Sequence, residues 1–159
     1  MAMYDEAALK RELIRDEGQR MKPYRDSLGN WTVGVGHLLV GNELQRFVDA
    51  ATGKPRRTLT EAECGDMLIG DIVDAEHGLN RILPGWRDLD DVRQRALLNL
   101  SFNLGPRLGK FVGFLRCVED RQWDEAAKHL KNSRWWGQVK ARGPRIAHMI
   151  ATGTAWEGA

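Results

Sequence analysis

The sequence predicts an α+β chain, mainly helical. A small sheet-bearing lobe near the N-terminus is joined by one long helix to a helical C-terminal lobe. Three observations carry this expectation. Turn formers interleave with short extended runs only between Met21 and Val40. A helical apolar period starts at Thr60 and continues to Leu83. From Leu89 onward the apolar spacing is again helical, in shorter pieces. The chain has 159 residues, 42 % of them apolar and 29 % charged, which is a globular profile of a size that buries a core without cross-links.

The elements follow in order. Tyr4 to Glu17 reads as a helix with Leu9, Leu13 and Ile14 on one side and Gly18 as its stop. Pro23, Asp26, Ser27, Gly29 and Asn30 flank extended runs at Lys22–Arg25 and Trp31–His37, an antiparallel hairpin with a third short strand before Thr60. Thr60 and Glu63 have capping-box spacing, and Met67, Leu68, Ile72 and Leu79 carry the long helix to Pro84-Gly85. A helix over Leu89–Leu104 has Val92, Ala96, Leu97, Leu100 and Leu104 as its apolar set. Shorter helices are expected over Leu108–Glu119, Trp123–Asn132, Arg134–Val139 and Pro144–Thr152. The whole of 1–159 is expected to be one domain, with sublobes 13–60 and 84–159, a connecting helix 61–83, and the N-terminal helix 4–12 added to the second sublobe. Two lobes of this kind leave a cleft, where ligands commonly bind.

Several function classes are excluded. No run of about 18 apolar residues exists, so no membrane span is expected. Met1–Glu17 is charged throughout and lacks the apolar core of a secretory signal or anchor, so folding in the cytoplasm is expected. Cys64 and Cys117 are then expected to be free thiols, and with no nearby His at metal spacing they make no zinc site. There is no P-loop and no nucleophile elbow, and Gly34-Val35-Gly36 lacks the third glycine of a dinucleotide fingerprint. No metal or organic cofactor is called for. Net charge is +2, distributed as +2 over 1–60, −4 over 61–120 and +4 over 121–159. The basic last stretch suggests attraction to a polyanion, either a bacterial wall polymer or nucleic acid. No nucleic-acid recognition motif is present.

Two carboxylates stand out. Glu17 falls at the end of the first helix, where the partial negative charge of the helix C-terminus favours a carboxyl that keeps its proton. Asp26 falls in a hairpin turn, where water and backbone donors favour the ion. Opposed environments of this kind make an acid and a base. Along Trp31–His37, alternation places Trp31, Val33, Val35 and His37 on one face and Thr32, Gly34 and Gly36 on the other. The second face is small enough for a polymer to approach the backbone, and the Thr32 hydroxyl can hold a water there. His37 reads as a hydrogen-bonded structural residue, while His77, His129 and His148 have no metal spacing.

The run Arg15-Asp16-Glu17-Gly18, Tyr24-Arg25-Asp26, Gly29 and Thr32-Val33-Gly34-Val35-Gly36-His37-Leu38 resembles the lysozymes of tailed bacteriophages, glycoside hydrolase family 24. Ala96-Leu97-Leu98-Asn99, Phe102-Asn103-Leu104-Gly105, Trp123 to Ala127, Ser133-Arg134-Trp135 and Thr152-Gly153-Thr154 extend the likeness over nearly the whole chain. The resemblance implies a lysozyme-like two-lobed fold and a muramidase that cleaves the β-1,4 bond between N-acetylmuramic acid and N-acetylglucosamine in peptidoglycan. It implies inverting catalysis, with Glu17 as general acid, Asp26 as the second carboxylate and Thr32 as partner of the attacking water. It further implies a salt bridge between His37 and Asp71, substrate contacts at Leu38 and Phe102, and Arg142 as the partner of Glu17. Phe114 and His129 stand where relatives place small polar substrate contacts. The expected protein is a monomeric endolysin without cofactor, stable membrane anchor or nucleic-acid partner. It would lyse the host by reaching the periplasm from the cytoplasm through a holin-type lesion. A non-catalytic peptidoglycan-binding module of the same fold is the alternative, and the intact Glu17, Asp26 and Thr32 set argues against it.

Overall fold

The computed structural model describes residues 3–158. Its elements run α1 (Glu6–Glu17), β1 (Arg20–Arg25), β2 (Trp31–Gly34), β3 (His37–Leu38), α2 (Gly41–Phe47), β4 (Val48–Asp49), β5 (Lys54–Pro55), α3 (Glu61–Ile82), α4 (Asp91–Leu104), α5 (Val112–Glu119), α6 (Trp123–Lys131), α7 (Arg134–Val139) and α8 (Arg142–Thr152). Short 3-10 turns over Pro84–Asp88 and Gly105–Lys110 precede α4 and α5. The fold is α+β and mainly helical, with its strands confined to the N-terminal part. Contacts divide the chain into two compact units, Lys10–Val73 and the chain before Lys10 together with the chain from Asp74 on.

In the unit Lys10–Val73 the sheet order is β1-β2-β3, antiparallel throughout, with Tyr24 opposite Thr32 and Thr32 opposite Leu38. Strands β4 and β5 form a separate two-stranded ribbon. The segment that leads from β5 to α3 is tied to the sheet by backbone: the Leu59 amide donates to the Met21 carbonyl at 2.7 Å. Leu13, Val33, Val35, Leu39, Phe47, Leu59, Cys64, Leu68 and Ile72 are all buried in this unit. The single strand expected over Trp31–His37 is instead a hairpin. Gly34 and Gly36 have φ of 65° and 63°, a left-handed backbone that no strand can continue through. The chain therefore reverses at Val35, and the alternation of faces ends with Val33, 0 % exposed, beside Thr32, 4 % exposed. The expected third strand before Thr60 is β5, but it pairs with β4 and lies outside the main sheet. Helix α2 was not anticipated, because seven residues with a single buried apolar side chain, Phe47, carry too little period to read.

Helix α3 starts as a capping box: the Glu63 amide donates to Thr60 Oγ1 at 3.1 Å and the Thr60 amide to Glu63 Oε1 at 3.0 Å. Its 22 residues, roughly 33 Å, contribute to both units. In the unit from Asp74 on, α4 is buried along most of its length. Two of its buried polar side chains are hydrogen-bonded: Gln94 Nε2 donates to the Leu89 carbonyl at 2.7 Å, and Ser101 Oγ to the Ala75 carbonyl at 2.8 Å. These bonds matter because a buried polar group left without a partner costs about 1–3 kcal/mol. Trp86, Leu97, Leu100, Leu108, Phe114, Leu130, Ile146 and Ile150 fill the core of this unit. The helix expected over Leu108–Glu119 begins only at Val112, because Gly105-Pro106 forces the preceding turn into 3-10 form. Both cysteines are free and buried.

The capping box makes the start of α3 open to a single surface change. Thr60→Ala is expected to lower stability by about 1 kcal/mol, seen as a lower urea midpoint with an unchanged slope.

Candidate active site

Helix α1 delivers Glu17 as its last residue. The helix stops there because Gly18 takes φ 77° and returns its amide to the Ile14 carbonyl at 2.8 Å. The Glu17 carboxyl then lies directly on the β2–β3 turn. A Cβ added at Gly36 would stand 2.8 Å from Glu17 Cδ and would also meet Oε2. Glycine is thus required at position 36 twice, for its backbone angle and for the space the carboxyl occupies.

Asp26 opens the turn that closes the β1–β2 hairpin. Its amide donates to the Asn30 carbonyl at 2.9 Å, and its own carbonyl receives the Gly29 amide at 2.9 Å. Its Oδ1 accepts from the amides of Leu28, at 2.9 Å, and Asn30, at 2.8 Å. This Asx turn fixes the carboxylate through one oxygen. Among the described residues Oδ2 makes no hydrogen bond, so it is the oxygen left to receive a proton. Thr32, buried in β2, donates its hydroxyl to the Asn30 carbonyl at 3.1 Å. With that proton committed, the oxygen offers only lone pairs to a further partner.

Tyr24 sits opposite Thr32 in the register and two residues before Asp26. Burial pushes its hydroxyl above the usual tyrosine range, Arg20 pulls it back, and the charges of Glu17 and Asp26 raise it further. The Arg20 guanidinium lies 4.3 Å from the centre of the Tyr24 ring. Neither Tyr24 nor the Asn30 carbonyl was singled out for the site from sequence. A backbone acceptor leaves no trace in side-chain identity, and the only cue for Tyr24 was its place in the Tyr24-Arg25-Asp26 run.

His37, on β3, bridges two carboxylates. Nδ1 is 2.8 Å from Asp71 Oδ2 on α3, and Nε2 is 2.7 Å from Glu43 Oε1 on α2. The Asp71 bond pushes its pKa up to about 9, burial opposes this, and the Glu43 bond adds to it. The imidazole is thus a cation at neutral pH. Glu43 went unread in the sequence because α2 itself was missed. Leu38, 49 % exposed, lies opposite Thr32 in the register and presents an apolar side chain to solvent. Glu17, Asp26, Thr32, His37, Leu38 and Asp71 all belong to the unit Lys10–Val73, whereas Phe102 and Arg142 belong to the other. Phe102 is half-buried on α4, and Arg142 is buried on α8 with Nε donating to Asn99 Oδ1 at 2.9 Å.

The model of the family described as phage lysozyme matches residues 15–148, a span that contains every one of these positions. The chain belongs to the phage lysozyme family. Among its relatives, a probable T4-type lysozyme of Dictyostelium discoideum is 30 % identical over 95 % of this chain and 98 % of its own length. The pre-baseplate central spike protein of Enterobacteria phage T4 is 30 % identical over 89 % of this chain but only 27 % of its own length. The endolysin of Salmonella phage P22 is 29 % identical over 72 % of this chain and 73 % of its own. Family membership makes the protein a lysozyme-type glycosidase with peptidoglycan as its substrate class. Among the described residues no cluster of His, Cys, Asp and Glu could hold a metal, and no helix is long and apolar enough to cross a membrane.

The unit from Asp74 on adds a cavity of about 640 Å³, lined by Arg107, Lys110, Phe114, His129, Arg134 and Trp135 among others. The His129 ring packs on Gly113, where an added Cβ would lie 2.9 Å from Nδ1. The indole of Trp135 is fixed by donation to Asn103 Oδ1 at 2.8 Å. This lysozyme thereby has a cationic, aromatic-walled pocket on its helical part.

Two outcomes follow from this geometry. Gly36→Ala is expected to displace the Glu17 carboxyl, lowering kcat about tenfold or more and costing about 1–2 kcal/mol in backbone strain; wild-type turnover would contradict the contact. For His37, the folded pKa is raised from 6.5 to about 9, so its stabilisation is complete below pH 6.5 and is lost as pH rises through about 9. The stability gap between wild type and His37→Asn, followed by denaturant titration across that range, is expected to shrink with rising pH; a pH-independent gap would refute the ion bridge.

Proposed function

We propose that the protein is a muramidase that hydrolyses the β-1,4 bond between N-acetylmuramic acid and N-acetylglucosamine with inversion, and that it serves as an endolysin reaching the wall through a holin-type membrane lesion. The reading is supported above all by the chemistry of the Asp26 turn. One carboxylate oxygen is tied to two amides and the other is left to act, while the neighbouring Thr32 oxygen is an acceptor only. A water that donates one hydrogen to Thr32 Oγ1 and the other to Asp26 Oδ2 is oriented and made nucleophilic at once.

The reaction then balances. Glu17 donates its proton to the glycosidic oxygen as the C1–O bond breaks and an oxocarbenium-like centre develops. The water attacks C1 from the opposite face and its proton passes to Asp26; exchange with solvent then takes that proton from Asp26 and returns one to Glu17, which restores both carboxyl groups for the next turnover. Attack by water rather than by a carboxylate requires carboxyl groups far enough apart to admit it. Leu38, exposed on β3 opposite Thr32, would contact the sugars. The His37–Asp71 pair would brace the sheet. The pocket around Arg107, Lys110, Arg134 and His129 has the charge to receive the carboxylates of a peptide stem. The basic stretch 121–159 adds attraction to an anionic wall.

Glu17→Gln keeps the size of the side chain and removes its proton. On purified Gram-negative peptidoglycan, wild type is expected to release muramic-acid reducing ends, and the variant to do so at least ~100-fold more slowly. A wild-type protein that binds the wall and releases no reducing ends would instead be a binding module.

A further inference from the structure

The exposed side chain of Arg25 makes two contacts on the turn that carries Asp26. Its Nη1 donates to the Gly29 carbonyl at 2.9 Å. Its guanidinium lies 4.6 Å from the centre of the Trp31 ring. Trp31 is the register partner of Arg25, so the two form the closing pair of the β1–β2 hairpin. The other bonds that shape 26–30 run inside the turn, from Asp26 to Leu28, Gly29 and Asn30. From outside the turn, among the described residues, only Arg25 and Thr32 hold it by hydrogen bonds, Arg25 at Gly29 and Thr32 at Asn30. The tip residues Ser27, Leu28, Gly29 and Asn30 are all exposed, Leu28 at 84 %, so packing adds little to these two tethers.

We propose that Arg25 is a positioning residue for Asp26: clamped between the Gly29 carbonyl and the Trp31 ring, it holds the turn so that Asp26 Oδ2 stays aimed at the attacking water. The inference rests on the role of Asp26 proposed above and adds a residue to it. The causal chain is short. Asp26 is aimed by the amides of Leu28 and Asn30 on Oδ1, and those amides stay in place only while the turn keeps its shape. Gly29, with φ 84°, takes the left-handed conformation that bends the turn, and its carbonyl is the atom Arg25 holds. A planar guanidinium can donate from its edge to that carbonyl while its face stacks on the indole, whereas the compact lysine ammonium has no planar face to stack. Small errors in the aim of a catalytic group are costly: about 1 Å of misplacement can lower a rate by roughly 100-fold.

The test uses the full chain and three variants, Arg25→Ala, Arg25→Lys and Asp26→Asn, with kcat and KM measured on soluble peptidoglycan fragments. Arg25→Ala is expected to lower kcat by about tenfold or more with KM changed less than about twofold. Arg25→Lys is expected to fall between it and wild type. In both variants the amide protons of Leu28 and Asn30 should move upfield in proton–nitrogen correlation spectra, as their bonds to Asp26 Oδ1 lengthen. The midpoint of thermal unfolding should move by only a few degrees, as befits an exposed side chain. Four results would overturn the proposal. They are an unchanged kcat, a raised KM at constant kcat (which would make Arg25 a substrate contact), a fall in kcat with both amides unmoved, or Arg25→Lys falling as far as Arg25→Ala. Asp26→Asn separates the two levels of the account. If it turns over at the wild-type rate, the catalytic reading of Asp26 fails and the positioning claim falls with it. If it is inactive while Arg25→Ala is unaffected, only the positioning claim fails.

Discussion

One carbonyl oxygen, that of Asn30, organises the candidate site. It accepts the amide of Asp26 and the hydroxyl of Thr32. The first bond closes the turn from which Asp26 projects. The second uses the only hydroxyl proton of Thr32, so that the threonine faces its remaining partner as an acceptor. A catalytic carboxylate and the oxygen that would share a water with it are thus referenced to the same atom. Pre-set geometry of this kind is what a general base needs, since it costs no reordering when substrate arrives. The hairpin that supplies Asn30 must therefore be rigid, and its closing pair Arg25–Trp31 lies immediately beside the turn.

The acid is placed by a different device. Glu17 ends a helix whose stop is set by Gly18, and its carboxyl rests on Gly36, a residue without a side chain at the one point where a Cβ would collide. Helix end, hairpin turn and strand register converge within the unit Lys10–Val73, where the His37 cation, held by Asp71 and Glu43, also ties β3 to α2 and α3. The long helix α3, which carries Asp71, starts at its own Thr60–Glu63 capping box, and on the buried helix α4 of the other unit Gln94 Nε2 and Ser101 Oγ are hydrogen-bonded.

Much of this was legible in the sequence where local chemistry decides the structure. Gly18 as a stop, Thr60 with Glu63 as a capping box and Arg134–Val139 as a short helix are set by residues within a turn of one another. The Trp31–His37 strand misled because alternation assumes an extended backbone, and Gly34 and Gly36 adopt positive φ instead. The small face that alternation assigned to Thr32, Gly34 and Gly36 does not exist as a strand face, yet Gly36 still provides a close approach, to Glu17. Helix α2, and with it Glu43, escaped because a seven-residue helix owes its stability to packing rather than to period. The role of Arg25 was invisible for a related reason: its partners are a backbone carbonyl and a ring across the hairpin, and neither spacing nor composition encodes them.

The claim on which the account turns is that water, held by Asp26 and Thr32, attacks from the face opposite the leaving group. The most direct measurement is the anomeric configuration of the first product, followed by proton nuclear magnetic resonance in the minutes before mutarotation mixes the anomers. The account predicts that the new muramic-acid reducing end appears first as the α-anomer. A β-anomer appearing first would mean a retaining reaction through a carboxylate nucleophile and would contradict the roles given to Asp26 and Thr32.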